Sequence, residues 1–157
     1  MANHFSQLAK KSRTNGGSEK IAKEQTGKPS LDIYKLGDDV LRHNSKRITK
    51  VDEAIRKLAR DMLQSMYAAK GIGLAAPQIG INKELLVIDV NFEDSAAEPL
   101  ILINPEITDF GTTLNSYEEG CLSIPGVYLN VVRPSTIKLK FRDEMGRPRK
   151  MKADGLL

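Results

Sequence analysis

The sequence predicts an α+β fold, a mainly antiparallel sheet around one helix. Three observations predict it. Residues 51–70 repeat apolar side chains with the period of a single helical face. Downstream of them, most of the chain reads as short strands closed by turns. The chain has 157 residues, 40% apolar and 28% charged, which suits one globular domain and shows no internal repeat.

Residues 1–30 stand apart. They hold five Lys and one Arg against Glu19 and Glu24, so they carry the whole net charge of +4. Residues 31–157 balance to zero, which argues against a basic nucleic-acid-binding domain. With Ser, Lys and Gly and no sustained periodicity, 1–30 read as a basic, disordered N-terminal extension. They lack an apolar core of the kind a secretory signal needs. An organellar transit peptide stays open, because the first acidic residue is Glu19.

The ordered domain, residues 31–157, is expected to begin just after Pro29. Leu31 to Leu41 is of mixed character. Thr49 is the expected N-cap of the helix, with Asp52 and Glu53 near the positive end of its dipole. Val51, Ile55, Leu58, Met62, Met66 and Ala69 form the stripe. Lys70 falls in the last turn, and Gly71 suits a left-handed residue after it.

Strands come next. Leu85–Val90 and Leu100–Ile103 are short apolar runs, the second ending at Asn104-Pro105. Ile137 to Arg142 alternates strictly, as a half-exposed strand should. Asp143 to Gly146 reads as a hairpin turn and Arg149 to Ala153 as the returning strand. At the end, Asp154 looks like an N-cap, with Gly155, Leu156 and Leu157 as the first turn of a helix. A missing C-terminal segment is the expectation.

Two motifs carry chemistry. The first is Gly71-Ile72-Gly73-Leu74-Ala75-Ala76-Pro77-Gln78-Ile79-Gly80, a tight backbone that another chain can approach closely. Gln78 is its one polar side chain, and its NH2 is able to donate to a developing oxyanion. A helix stop with an ordinary structural Gln is the plainer reading. The segment lacks the Gly-Lys-Ser/Thr of a phosphate loop.

The second is Glu118-Glu119-Gly120-Cys121-Leu122-Ser123-Ile124-Pro125-Gly126. Three readings of Cys121 stand side by side. It is an inert buried thiol, a nucleophile opposed by two neighbouring carboxylates, or a metal ligand whose cation would offset them. The only histidines are His4 and His43, and neither has a ligand-like spacing. The single cysteine excludes an intrachain disulfide and suits a reducing compartment, the cytoplasm with an organelle as alternative. No apolar run approaches the ~18 residues of a membrane span.

Gly71-Ile72-Gly73-Leu74-Ala75-Ala76-Pro77-Gln78 and Glu119-Gly120-Cys121-Leu122-Ser123 resemble, in order and separation, the first two signature motifs of the peptide deformylases. The likeness runs from about Leu31 to Leu157 and takes in Asn104-Pro105. It implies a metal-dependent hydrolase that removes the formyl group from the N-terminal formylmethionine of nascent polypeptides, with transient contact to the ribosome. Membranes and sequence-specific nucleic acid are not among the expected partners. The implied metal is Fe2+, with Zn2+, Ni2+ or Co2+ as alternatives. By resemblance Cys121 is a metal ligand, and Gln78 and the Leu122 N–H are catalytic oxyanion donors. The backbone of Ile72, Gly73 and Leu74 would pair with substrate. Tyr117, Glu119 and Gly120 belong to the substrate side, with Glu119 paired to Arg133 as a support and Tyr128 bordering the groove. The family's third motif, a helical His-Glu-x-x-His, would come after Leu157, so the metal-binding helix is expected to be truncated and these 157 residues alone inactive. Two other classes compete: a non-catalytic peptide- or ribosome-binding homologue, and a thiol enzyme using Cys121 with His43 as base.

Overall fold

The helical stripe folds as expected, with its ends moved. The structure, a computed structural model, describes residues 28–94 and 96–157. The reading of the first 27 residues as disordered therefore lies outside the described residues. Helix α1 spans Glu53–Ala68. Its N-cap is Asp52 rather than Thr49: the Asp52 carboxylate accepts the Ile55 N–H at 3.2 Å. A carboxylate at that place also meets the positive end of the dipole. At the other end the left-handed residue is Lys70, at φ 57°, not Gly71. Ala69 is exposed, and the buried face instead takes in Ala59, Leu63, Ser65 and Tyr67 beside Ile55, Met62 and Met66. The stripe is wider than the pattern suggested because the chain before the helix crosses it. Leu31 N–H donates to Ser65 Oγ at 2.8 Å, and Ser30 Oγ bonds the Gln64 side chain.

Seven strands complete the chain: β1 Gly73–Ala75, β2 Leu85–Ile88, β3 Leu100–Phe110, β4 Leu114–Cys121, β5 Ile124–Pro134, β6 Thr136–Arg142 and β7 Pro148–Asp154. A five-stranded antiparallel sheet has the order β1-β2-β3-β6-β7, and β4-β5 form a separate two-stranded sheet. The expected antiparallel sheet beside one helix is thus present, joined by a second, two-stranded one. The long β4–β5 hairpin leaves the larger sheet after β3 and returns to it at β6.

Alternation sorts the larger sheet into two faces. Leu85, Val87 and Ile103 join Met62, Leu63 and Met66 in the core under α1. Burying each side chain of that size contributes roughly 1.5–3 kcal/mol. Leu102, Leu139 and Ala153 face the other way, with Leu86, Ile88, Ile137 and Phe141 around them.

The Leu100–Ile103 run does not end at Asn104-Pro105. β3 continues through it, with a register break between Ile103 and Glu106. The break lets proline, which has no N–H to give, sit inside a strand. Asn104 takes a left-handed φ of 52° there. Its amide accepts the Ile48 N–H and donates to the Ile48 carbonyl, both at 2.8 Å, and so ties the approach to α1 onto the sheet. At the other end Asp154 is the last residue of β7, and Gly155 at φ 64° opens a turn. The expected N-cap is therefore a strand end. Among the described residues no helix is long and apolar enough to cross a membrane.

Candidate active site

The two motifs lie more than 40 residues apart in sequence and meet in space. α1 delivers the chain to Gly71, after which β1 runs along the edge of the larger sheet. Asp89 anchors the start of β1: its N–H bonds the Ile72 carbonyl at 2.9 Å. The Asp89 carboxylate is buried, and it receives the Tyr67 hydroxyl at 2.7 Å and the Asn91 N–H at 3.0 Å. Burial, then the Asp89 contact, pushes the Tyr67 phenol far above its usual range.

After β1 the chain turns into a short 3-10 segment, Ala76–Ile79, which ends on Gly80 at φ 79°. This segment aims Gln78. The Ala75 N–H donates to Gln78 Oε1 at 2.9 Å. A backbone N–H can only donate, so the oxygen of the amide must lie there and the NH2 must face the other way. Nε2 points at Ser123 Oγ, 3.1 Å away, and at Cys121 Sγ, 3.7 Å away.

The second motif forms the tip of the β4–β5 hairpin. Cys121 pairs with Ile124, and Leu122 and Ser123 make the two-residue turn between them. Cys121 is exposed, which removes the reading of an inert buried thiol. The Leu122 N–H, at the tip, donates to no group among the described residues. The Leu122 side chain packs inward against the core under α1 and lies directly over Gly71. The Leu122 carbonyl accepts Lys35 Nζ at 2.9 Å, and the Ser123 carbonyl accepts the Leu36 N–H at 2.8 Å. The Tyr34 N–H bonds the Gln78 carbonyl at 2.8 Å. Residues 34–36 thus clamp both motifs together. Nothing in their composition signals this role. Ser123 lay inside the second motif, and only its place beside Gln78 marks it.

The remaining candidates fall around this junction. Glu119 makes two bonds to the Arg133 guanidinium, one of them at 2.7 Å. The Arg133 hydrogen bond holds its carboxyl below the usual range, and Glu119 in turn raises Arg133. One of the two carboxylates before Cys121 is therefore neutralised. Gly120 faces Tyr128 across the hairpin, and a Cβ on Gly120 would stand 2.8 Å from the ring. Tyr128 is otherwise exposed. Tyr117 is half-buried on β4, its hydroxyl bonded to the Asn115 amide at 3.2 Å.

β1 is an edge strand, paired to β2 on one side only. Ile72 is 36% exposed, and Leu74 points into the core. A Cβ on Gly73 would meet nothing nearer than the Val87 carbonyl at 3.8 Å. Internal packing therefore does not demand glycine there, whereas a strand laid along this edge would gain from the bare backbone.

The donors for a metal are few. Cys121 Sγ is one. Among the described residues no three His, Cys, Asp or Glu side chains come together as a metal site. His43 ends the 3-10 turn Asp39–Arg42, and its carbonyl accepts from the Asn82 amide. The described residues thus supply a single thiol sulfur and do not enclose a cation. Among the described residues no imidazole is hydrogen-bonded to Cys121.

The family model described as Polypeptide deformylase matches residues 30–157. A peptide deformylase of Prochlorococcus marinus strain AS9601 is 96% identical over the whole chain, which spans 78% of that protein. The Peptide deformylase 2 of strain MIT 9313 is 62% identical with the same coverage. Among solved structures, a peptide deformylase from Synechococcus elongatus in complex with actinonin superposes with a TM-score of 0.86 at 52% identity, covering 89% of this chain and 76% of that one. That of Thermotoga maritima gives 0.74 at 37% identity, covering 80% and 82%.

Proposed function

The chain belongs to the polypeptide deformylase family, and we propose that it serves the removal of the formyl group from the N-terminal formylmethionine of nascent polypeptides, releasing formate. The observation that carries the reading is the aim of Gln78. Its oxygen is held by Ala75, so its NH2 faces Cys121 across the junction of the two motifs.

In this reading each residue has a separate task. The edge of β1 takes the substrate backbone as an added strand, with the Ile72 N–H and the bare Gly73 backbone nearest to it. Tyr117 lines the pocket for the methionine side chain. As the formyl carbon becomes tetrahedral, negative charge collects on its oxygen. Gln78 Nε2 and the Leu122 N–H are the donors that receive it. Glu119 and Arg133 stiffen the hairpin that carries Leu122.

The family is metal-dependent. For this member we assign Fe2+, with Zn2+, Ni2+ or Co2+ as substitutes, because a thiolate such as Cys121 suits borderline metals. Cys121 is one ligand, and the others are not among the described residues. The 157 residues alone are therefore expected to bind metal weakly and to release no formate. The protein works in the cytoplasm and meets the ribosome transiently. No observation favours the non-catalytic binding reading.

The test is formate release from a short formyl-methionyl peptide under anaerobic conditions with Fe2+. Protein carrying the family's His-Glu-x-x-His after Leu157 should turn over, and the 157-residue chain should not. Turnover by neither would overturn the reading. Robust turnover by the shorter chain would show that His43 or carboxylates complete the site.

A further inference from the structure

Residues 31–157 balance to zero in total, but the fold does not spread their charge evenly. The β6–β7 hairpin, residues 136–154, holds seven Lys and Arg against Asp143, Glu144 and Asp154. Register puts several of these cations side by side. Lys140 faces Lys150, and Lys138 faces Lys152. Like charges directly opposite each other destabilise a strand pair, so packing alone gives no reason for them. β3 relieves only half of the set: Glu106 pairs with Lys140 at 2.9 Å and Asp109 with Lys138 at 2.8 Å. Lys150 and Lys152 on the outer strand have no carboxylate among the described residues.

A cleft of about 460 Å3 adjoins these rows. Asn104, Lys140, Arg142 and Lys150 line it from the sheet, and Arg47 lines it from the segment that leads to α1. Arg142 is held in place by the carbonyls of Gly146 and Thr49, at 3.0 and 3.1 Å. Arg47 is exposed and has no acidic partner among the described residues.

We propose that Lys150 and Lys152, on the outer strand of the β6–β7 hairpin, together with Arg47 across the cleft, dock the sugar–phosphate backbone of RNA. The rows decide for a polymer over a small anion. Same-face residues on a strand recur about every 7 Å, so the cations repeat along a line and call for a ligand whose charges repeat too. The one aromatic that lines the cleft, Phe141, is packed against the Leu102, Leu139 and Ala153 cluster and offers no open ring to a base, so the contact is to backbone and independent of sequence. RNA rather than another polyanion rests on the proposed deformylase function, in which the substrate is a chain emerging from a ribosome.

The test is fluorescence anisotropy of the full chain with a labelled 20-nucleotide RNA over a range of salt. Because the basic N-terminal residues are the same in every variant, any difference belongs to the hairpin face. The triple variant R47E/K150E/K152E should bind at least tenfold more weakly at 0.1 M salt. R47Q/K150Q/K152Q should lose less affinity. Its slope of log affinity against log salt should be shallower by about 2, since each phosphate of a single strand that is no longer neutralised removes roughly 0.7. Thermal transitions matching that of the unaltered chain show that both variants are folded. Unchanged RNA affinity in folded variants would overturn the proposal. So would competition by submillimolar inorganic phosphate, which marks a small-anion site. Loss of binding to phosphatidylserine vesicles with RNA binding intact would overturn it as well. None of these readouts uses turnover, so a failed deformylase assay leaves the cations' contact with RNA standing.

Discussion

Leu122 occupies the space that a side chain on Gly71 would need: its Cδ1 is 2.6 Å from where a Cβ would stand. The tip of the β4–β5 hairpin therefore rests on the bare backbone at the exit of α1. That contact seats the tip whose Cys121 and Ser123 side chains face Gln78 Nε2.

Gly71→Ala should lift the tip. Overpacking of this kind costs roughly 1–3 kcal/mol. In metal-loaded enzyme the substitution should lower kcat more than it raises KM if the displaced group is the oxyanion donor we propose. Adding Leu122→Ala should recover part of the stability. A thermal melt and steady-state kinetics on the single and double variants check this.

In protein carrying the family's His-Glu-x-x-His, Gln78→Ala should reduce turnover by roughly 10²–10³, the usual cost of one lost oxyanion donor, with metal content unchanged. Gln78→Glu should do no better, since a carboxylate brings no NH2 to the position facing Cys121. Elemental analysis beside a formate assay separates this from loss of metal. Activity within twofold of the unaltered enzyme would remove Gln78 from the mechanism.

In protein carrying the family's His-Glu-x-x-His, Cys121→Ser should weaken or lose metal, because a hydroxyl is a poor substitute for a thiolate on a borderline cation. Cys121→Asp restores an anionic ligand and should keep more metal than Cys121→Ser. Normal metal occupancy in Cys121→Ser would take Cys121 out of the ligand set.

Asn104→Ala and Asn104→Gly should separate two effects. Both lose the pair of bonds to the buried Ile48 backbone, at about 0.5–1.5 kcal/mol for each bond. Alanine must also hold the left-handed φ of 52°, which costs a further 1–2 kcal/mol or so. Urea denaturation should therefore rank the unaltered chain above Asn104→Gly, and Asn104→Gly above Asn104→Ala.

Arg133→Ala should have a small, pH-dependent effect. Arg133 depresses the Glu119 carboxyl, so the pair contributes stability above the ordinary glutamate value of 4.5. That contribution fades as pH falls through the depressed value. Both side chains are partly exposed, which limits the difference to under about 1 kcal/mol at neutral pH. Melts of both proteins from pH 7 to pH 3 should converge at the acid end.

The sequence by itself determined the local events. The α1 stripe, the Asp143–Gly146 turn and the alternation of Ile137–Arg142 each depend on neighbours within a few residues, where periodicity and turn chemistry act. The first motif was legible as a composition with little room for side chains, the second as a lone cysteine beside two carboxylates. The cap on Asp52 in place of Thr49 and the left-handed Lys70 in place of Gly71 are shifts of one to three residues. There several residues can serve, and packing picks among them.

Tertiary structure decided most of what joins distant residues. The stretch 114–132 reads as neither a clean alternation nor an apolar run, because the β4–β5 hairpin is exposed over most of its length and buries no regular face. The aim of the Gln78 amide depends on Ala75 at one end and on Ser123 and Cys121 at the other. Lys35 reaches the motif tip only because the chain before α1 folds back over it. The charge rows of β6 and β7 are invisible in a net total of zero. They arise from register, which is set by a turn and a buried face rather than by the charges themselves.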